Sequence, residues 1–253
     1  QGSCSRSRIC SRISSKLAPS VVFSTCNNLL RFVNTLILIS SPTFADDFQE
    51  GIVSLKQKDF KTALEKLLPL AKKGHAEAQN IVGFIYYLGD ETTINYGKAF
   101  KWNMKSAEQG NSNAQASLGV MYYHGDGVTQ SFSEALKWYK LSAAQGDLRG
   151  QIKLGMMYKS GEGVNKDPKE AFKWLNLAAE QGGSDAQVVL GDMHMRGEGV
   201  TKNYIQALKW FYIAGLHKNE KALPLRDLLL KKLRPKQISE ARILIKEWVD
   251  RHR

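Results

Sequence analysis

From Ala114 to Gly146 the chain reads AQASLGVMYYHGDGVTQSFSEALKWYKLSAAQG. Apolar residues fall at helical spacing on both sides of one turn: Ala114, Leu118, Met121 and Tyr122 before it, then Ala135, Leu136, Trp138, Tyr139 and Ala143 after it. The turn, Gly125-Asp-Gly127-Val128, carries two residues that reach positive φ without a Cβ penalty. The stretch therefore predicts two helices folded back on one another.

The same frame recurs every 36 residues. Trp102, Trp138, Trp174 and Trp210 lie on this period, as do Gly83, Gly119, Gly155 and Gly191, and Ala99, Ala135, Ala171 and Ala207. A lysine precedes each Trp, at 101, 137, 173 and 209, and Gly74, Gly110, Gly146 and Gly182 close the units. The paired-glycine turn returns as Gly161-Glu-Gly163-Val164 and Gly197-Glu-Gly199-Val200. Asn95, Ser131, Asp167 and Asn203 stand where a cap for the second helix is needed. Glu134, Glu170 and Gln206 three residues later predict reciprocal capping boxes, and Pro168 fits a first helical position. Glycine within a helix costs about 1 kcal/mol relative to alanine, so its return at 83, 119, 155 and 191 predicts close helix approach. With Ala78, Ala114, Gly150 and Ala186 it would form a small-residue seam pressed by the Trp-bearing helix, each Trp serving as core.

Four full units follow at 76–110, 111–146, 147–182 and 183–217. Residues 46–75 read as a degenerate first hairpin, in which Lys66 takes the Trp position. Residues 218–253 read as a basic pair of capping helices, the last striped by Ile238, Ala241, Ile245 and Trp248. Residues 1–45 read as a leader, either an export signal or an overextended N-terminus. Phe32–Ile39 is an apolar run behind Arg31, and Pro42-Thr-Phe-Ala45 offers small residues three apart, so cleavage near Ala45 and a periplasmic or secreted product are expected. The Arg- and Ser-rich, acid-free start keeps a mitochondrial address as the alternative. The apolar run is shorter than the roughly 20 residues of a membrane span, so no transmembrane segment is expected in the mature chain.

Composition narrows the function. The formal charge of +12 resides in the leader and the tail: residues 46–215 hold 20 basic and 19 acidic side chains, whereas residues 216–253 hold 11 and 5. A nucleic-acid partner would need a basic stripe on the folded body, so none is expected. Cys4, Cys10 and Cys26 all lie in the leader, which leaves no disulfide or thiolate metal site beyond it. The sequence contains no Ser-x-x-Lys, His-Glu-x-x-His, Gly-x-Ser-x-Gly or Gly-Lys-Ser/Thr phosphate loop. Histidines 75, 124, 194, 217 and 252 include no helical i, i+4 pair, and the turn acids Asp90, Asp126, Glu162 and Glu198 offer too few oxygens for calcium, so they read as solvated. No catalytic residue, metal or cofactor is expected.

Ala-Gln at the start of a unit, Gly-x-Gly-Val in its turn, Ala-x-Lys-Trp in its second helix and Ala-Ala-x-Gln-Gly at its end resemble the Sel-one-like repeat family, a branch of the tetratricopeptide-like solenoids. The resemblance covers about residues 60–217, and Pro235-Lys-Gln-Ile-Ser-Glu-Ala241 with Trp248 is similar to the close of bacterial members. It implies an all-α, right-handed superhelical solenoid that works as a scaffold or adaptor, commonly in the bacterial envelope, and a monomer is expected. Cysteine-rich members have been linked to β-lactams, which leaves a β-lactam- or glycan-processing envelope protein as the alternative. Their cysteine pairs are absent here. In such solenoids the first helices line the concave face, so positions varying within a constant frame are the expected contacts for a peptide or protein. They are Tyr87, Tyr123, Lys159 and Met195 at one level and Leu88, His124, Ser160 and Arg196 at the next, with Lys153 and Asp192 nearby. The first unit departs in its turn, Gly89-Asp-Glu-Thr-Thr, and His194 replaces Tyr86, Tyr122 and Tyr158.

Overall fold

The computed structural model describes residues 42–90 and 93–252, in which every regular element is a helix. In chain order these are α1 (Pro42–Lys56), α2 (Phe60–Lys72), α3 (Ala76–Leu88), α4 (Tyr96–Glu108), α5 (Ser112–His124), α6 (Phe132–Ala144), α7 (Leu148–Ser160), α8 (Pro168–Glu180), α9 (Ser184–Arg196), α10 (Tyr204–Leu216), α11 (Ala222–Lys232) and α12 (Pro235–Arg251). The expected leader lies, up to residue 41, outside the described residues. The chain forms two compact units that divide between Leu70 and Ala71. In the first, Gly51 leaves room for Leu67, and Lys66 reaches Asp47 at 3.2 Å and Glu50 at 2.5 Å.

The second unit is an all-α solenoid. Each first helix (α3, α5, α7, α9) packs along its own second helix (α4, α6, α8, α10), and each second helix up to α8 packs on the next first helix. α11 and α12 both close on α10. Side-chain caps mark every start in the repeats except that of α9, where Gly183 offers none. Asn95, Ser131, Asp167 and Asn203 accept backbone N–H groups of the second helices, as their register predicts. His75, Asn111 and Asp147, again 36 residues apart, do the same for the first helices.

Reciprocal capping boxes do not form at the second helices. The N–H groups of Ser131, Asp167 and Asn203 donate instead to the carbonyls of Tyr122, Tyr158 and His194, each at 2.8 Å, which ties the two helices of a unit together. With that donor already satisfied, Glu134 and Glu170 turn outward to Lys137 and Lys173.

The paired glycines do two different jobs. Gly125, Gly161 and Gly197 take left-handed conformations that cap the first helices. A Cβ on Gly127, Gly163 or Gly199 would lie 2.4, 2.7 or 2.0 Å from the carbonyl oxygen of Tyr96, Phe132 or Pro168, so here the turn of one unit rests on the start of the preceding unit's second helix.

The interior glycines admit not the tryptophans but the residues that follow them. Cβ atoms on Gly83, Gly119, Gly155 and Gly191 would come within 3 Å of the side chains of Asn103, Tyr139, Leu175 and Phe211. Of the four periodic tryptophans only Trp210, 2% exposed, is buried; Trp102, Trp138 and Trp174 are half-buried. Trp138 packs on Ala107, Ala114 and Leu118, across the junction with the preceding unit, and Trp174 packs on the corresponding cluster around Tyr139 and Leu154. The small residue at position 150 also faces backwards, towards Ser142 and Ala143 of the preceding unit.

A buried glutamine at the start of each first helix completes the joint. Nε2 of Gln79, Gln115, Gln151 and Gln187 donates to the carbonyl of Ala71, Ala107, Ala143 and Ala179 at 3.0, 3.3, 3.5 and 3.0 Å, satisfying an orphan acceptor at the end of the preceding helix. Its Oε1 accepts from Gln109, Gln145 and Gln181 at 2.6, 2.7 and 2.7 Å. His217 stands in for the fourth, its Nδ1 lying 3.1 Å from Gln187. Trp210→Ala is expected to cost about 3–5 kcal/mol and Trp102→Ala only about 1–2 kcal/mol, because the second ring is already half in water. Urea unfolding of the two variants checks the difference.

Candidate functional site, the face of the first helices

On each first helix the residues that face the core leave a second stripe open. Among consecutive first helices α5 and α7 approach one another directly, and no two second helices do so to the same degree, so the first helices form the inner face. Arg149 of α7 holds that approach by donating to the Asn113 carbonyl at 3.2 Å and to its Oδ1 at 3.1 Å.

Three shallow recesses of about 90, 230 and 190 Å³ run along this face. Phe84, Leu88, Val120 and Arg149 line the first, Val120, Arg149, Ile152 and Lys153 the second, and Ile152, Lys153, Met156 and Ser160 the third. Because neighbouring recesses share residues, they form one trough rather than separate cavities. Its apolar side chains reach solvent: Phe84 and Met156 are each 40% exposed and Leu88 is 56% exposed. Arg149 and Lys153 supply two cations at its centre, and neither forms an ion pair among the described residues. Asp185 also lines the second recess.

The structure divides the residues expected from sequence into two sets. Tyr87 donates to Asp126 Oδ2 at 2.6 Å, Tyr123 donates to Glu162 Oε2 at 2.8 Å, and Lys159 lies 3.6 Å from Glu198 Oε2. Each of these joins the end of one first helix to the turn of the next unit. Asp126, Glu162 and Glu198 are thus structural partners, half-buried rather than solvated as their loop position predicts, whereas Asp90 is exposed. Burial, helped by Asp126, pushes the Tyr87 phenol well above its ordinary range, and the bond to Glu162 raises that of Tyr123. Met195 packs against the cluster around Leu208 and Phe211. At the second level Leu88, His124, Ser160 and Arg196 are exposed. His124 meets Tyr123 edge-on at 5.0 Å, and Arg196 is held by Asp192 at 2.8 Å. Lys153 lines the trough, and Tyr87 and Tyr123 line its first and third recesses.

Phe84, Val120 and Met156 are absent from the sequence expectation. They share the 36-residue register and vary in type, yet their apolar character reads as core. The decisive signal is their place four residues before Leu88, His124 and Ser160, on the same helix stripe and one residue past the inward-facing glycines.

The histidines serve structure. His75 Nδ1 accepts from the Ala78 N–H at 3.0 Å, and His252 lies 2.8 Å from the Glu180 carbonyl and stacks on Trp248. Among the described residues no group of three or more His, Cys, Asp or Glu side chains is placed to share a metal ion. His194 is buried edge-on against Phe172 at 5.3 Å, its Nδ1 without a hydrogen-bond partner. Burial, with the nearby Lys209 ammonium, pushes its pKa down to about 4. The unfolded chain binds this proton near pH 6.5, so the stabilising contribution of the neutral ring is present above that pH and is lost as pH falls towards 4. The loss amounts to about 3 kcal/mol at full protonation. Replacing His194 with Tyr, the residue of the other units, is expected to flatten this part of the stability profile, measured by thermal unfolding between these pH values. Tyr123→Phe is expected to cost about 1–2 kcal/mol in urea, whereas Lys153→Ala changes stability by less than about 0.5 kcal/mol.

Comparison with known proteins agrees with the repeat fold. No curated protein sequence matches the chain. A protective antigen of uropathogenic Escherichia coli strains with an SLR fold is 34% identical over 82% of this chain, with a TM-score of 0.75; the chain spans 45% of that protein. A Sel1 repeat protein of Oxalobacter formigenes is 30% identical over 71% of this chain and 73% of its own, with a TM-score of 0.66. A sel1 repeat protein of Klebsiella pneumoniae, 17% identical over 74% of this chain and 92% of its own with a TM-score of 0.51, shares the fold. The Sel1 repeat itself matches residues 76–111, 112–147, 148–183 and 184–219, and the chain belongs to the Sel1 repeat family.

Proposed function

We propose that the chain is a monomeric, non-enzymatic scaffold of the bacterial envelope that holds an extended peptide or protein loop along its first helices. Sel1 repeats serve in general as protein-interaction scaffolds. The observation that carries the finer reading is the continuous trough, in which Phe84, Leu88, Val120, Ile152 and Met156 alternate with Lys153 and with Arg149, neither of which forms an ion pair among the described residues. Exposed apolar side chains beside cations suit a segment that brings both apolar groups and carboxylates. The trough is too shallow to engulf a small molecule but long enough to follow a strand-like backbone across three units.

An envelope address draws on the leader-like start of the sequence and on the protective-antigen character of the E. coli relative. The missing cysteine pairs and the lack of a Ser-x-x-Lys nucleophile weigh against the β-lactam alternative.

Peptides selected from a random display library on the immobilised full chain provide the test. A variant combining Phe84→Ser, Met156→Ser and Lys153→Glu is expected to weaken their binding by at least tenfold, read by fluorescence anisotropy, with helical circular dichroism unchanged. Equal affinity for this variant and the wild-type chain would move the binding site off this face.

A further inference from the structure

The corner where α10 passes into α11 carries a second surface, distinct from the trough. Four apolar side chains stand in solvent there: Tyr212, 38% exposed, Leu216, 53%, Leu223, 36%, and Leu228, 54%. Leu223 comes close to α10 because Gly215 has no side chain. A Cβ at that position would lie 3.2 Å from Leu223 Cδ2 and 3.8 Å from an Arg226 nitrogen, and Arg226 in turn reaches over the Tyr212 ring.

Lysines outnumber unpaired acids around this patch, where Glu220 is exposed between two of them. Lys218, in a left-handed turn, Lys221 and Lys231 are all exposed. Lys221 comes no nearer than 4.0 Å to Asp185, and its side chain is 80% exposed. The acid on the exposed side of α11, Asp227, is already paired with Arg226 at 2.8 Å. Lys232, by contrast, is bound to the Tyr204 hydroxyl at 3.0 Å. The opposite side of α11 buries Ala222 and Leu229. The helix is thus anchored by one face and presents leucines and lysines on the other.

We propose that this corner is a peripheral docking surface for an anionic lipid bilayer, with Leu216, Leu223 and Leu228 entering the headgroup boundary and Lys218, Lys221 and Lys231 meeting the phosphates. Residue type separates this partner from an acidic protein. Protein interfaces are depleted in lysine and enriched in arginine and aromatic anchors that pair at fixed geometry. Flexible point charges around singly exposed leucines match a fluid, diffuse layer of negative charge. No described helix is long and apolar enough to cross a membrane, so the contact is an interfacial one. The charge distribution agrees: residues 46–215 are balanced at 20 basic to 19 acidic, and the excess begins at this corner.

Sedimentation of the full chain with phosphatidylcholine vesicles, with and without about one-third phosphatidylglycerol, tests the proposal. Binding to the anionic vesicles alone, weakened by salt, is expected. Each lysine at such a surface contributes about fivefold, so the Lys218→Glu, Lys221→Glu, Lys231→Glu variant should bind about 100-fold more weakly or worse. Leu223→Ser with Leu228→Ser should lose about tenfold at unchanged charge. All these residues are exposed, and helical circular dichroism confirms folding of each variant. Because every variant keeps residues 1–45, binding through that basic segment would survive both sets of changes and overturn the proposal. Failure to bind anionic vesicles would also overturn it, as would competition by soluble polyglutamate with no effect of the leucine pair, which would point to an acidic protein instead.

Discussion

A buried carboxamide joins each unit of the solenoid to the one before it. A helix that ends against a neighbour leaves carbonyls with no partner, and an orphaned buried acceptor costs about 1–3 kcal/mol. Gln79, Gln115, Gln151 and Gln187 remove that cost at every junction by donating to the preceding second helix while accepting from the amide or ring that closes their own unit. An alanine scaffold could fill the same space, but it could not satisfy both groups. The geometry of this clasp fixes how far one helix pair turns relative to the next. The glycines at 127, 163 and 199 hold the other end of the joint, where turn backbone rests on helix backbone.

The inner face follows from that fixed stacking. With the unit spacing set at both ends, phenol–carboxylate and ammonium–carboxylate rungs form from Tyr87 to Asp126, Tyr123 to Glu162 and Lys159 to Glu198. These rungs use the polar groups most conspicuous in the sequence. What a partner meets is the neighbouring stripe, where Phe84, Val120 and Met156 break the surface between the rungs and the core, together with the parts of Tyr87 and Tyr123 that line the same trough. A rigid frame with an uncommitted stripe is well suited to recognition, since little ordering of the protein is needed when a segment docks.

Trp138 and Trp174 are spacers between units rather than sealed core, and this alters how the repeat tolerates change. The residue after each Trp fills the space over the helix glycine, and it differs in every unit: Asn103, Tyr139, Leu175 and Phe211. Variation there retunes one helix pair without disturbing the register of the stack. Near the C-terminal end the exchange of Tyr for His194 and the closure by Trp248 and His252 make the last units chemically unlike the first.

Sequence alone determined the period, the helix pairs, their caps and the family, because these rest on local rules: helical apolar spacing, glycine at positive φ, and a side-chain acceptor at the helix start. Even the cap register of the first helices, His75, Asn111 and Asp147, stood in the same 36-residue frame. Tertiary structure alone decided which members of that frame are free. Tyr87 and Phe84 are both aromatic, on one helix and less than a turn apart, yet the first is bonded to the next unit and the second faces solvent. That distinction depends on the rotation between successive units, which positions a turn carboxylate 39 residues away within reach of one ring and not the other. No pattern within a single unit encodes that rotation, so the positions that look most variable and polar in sequence need not be the ones available to a partner.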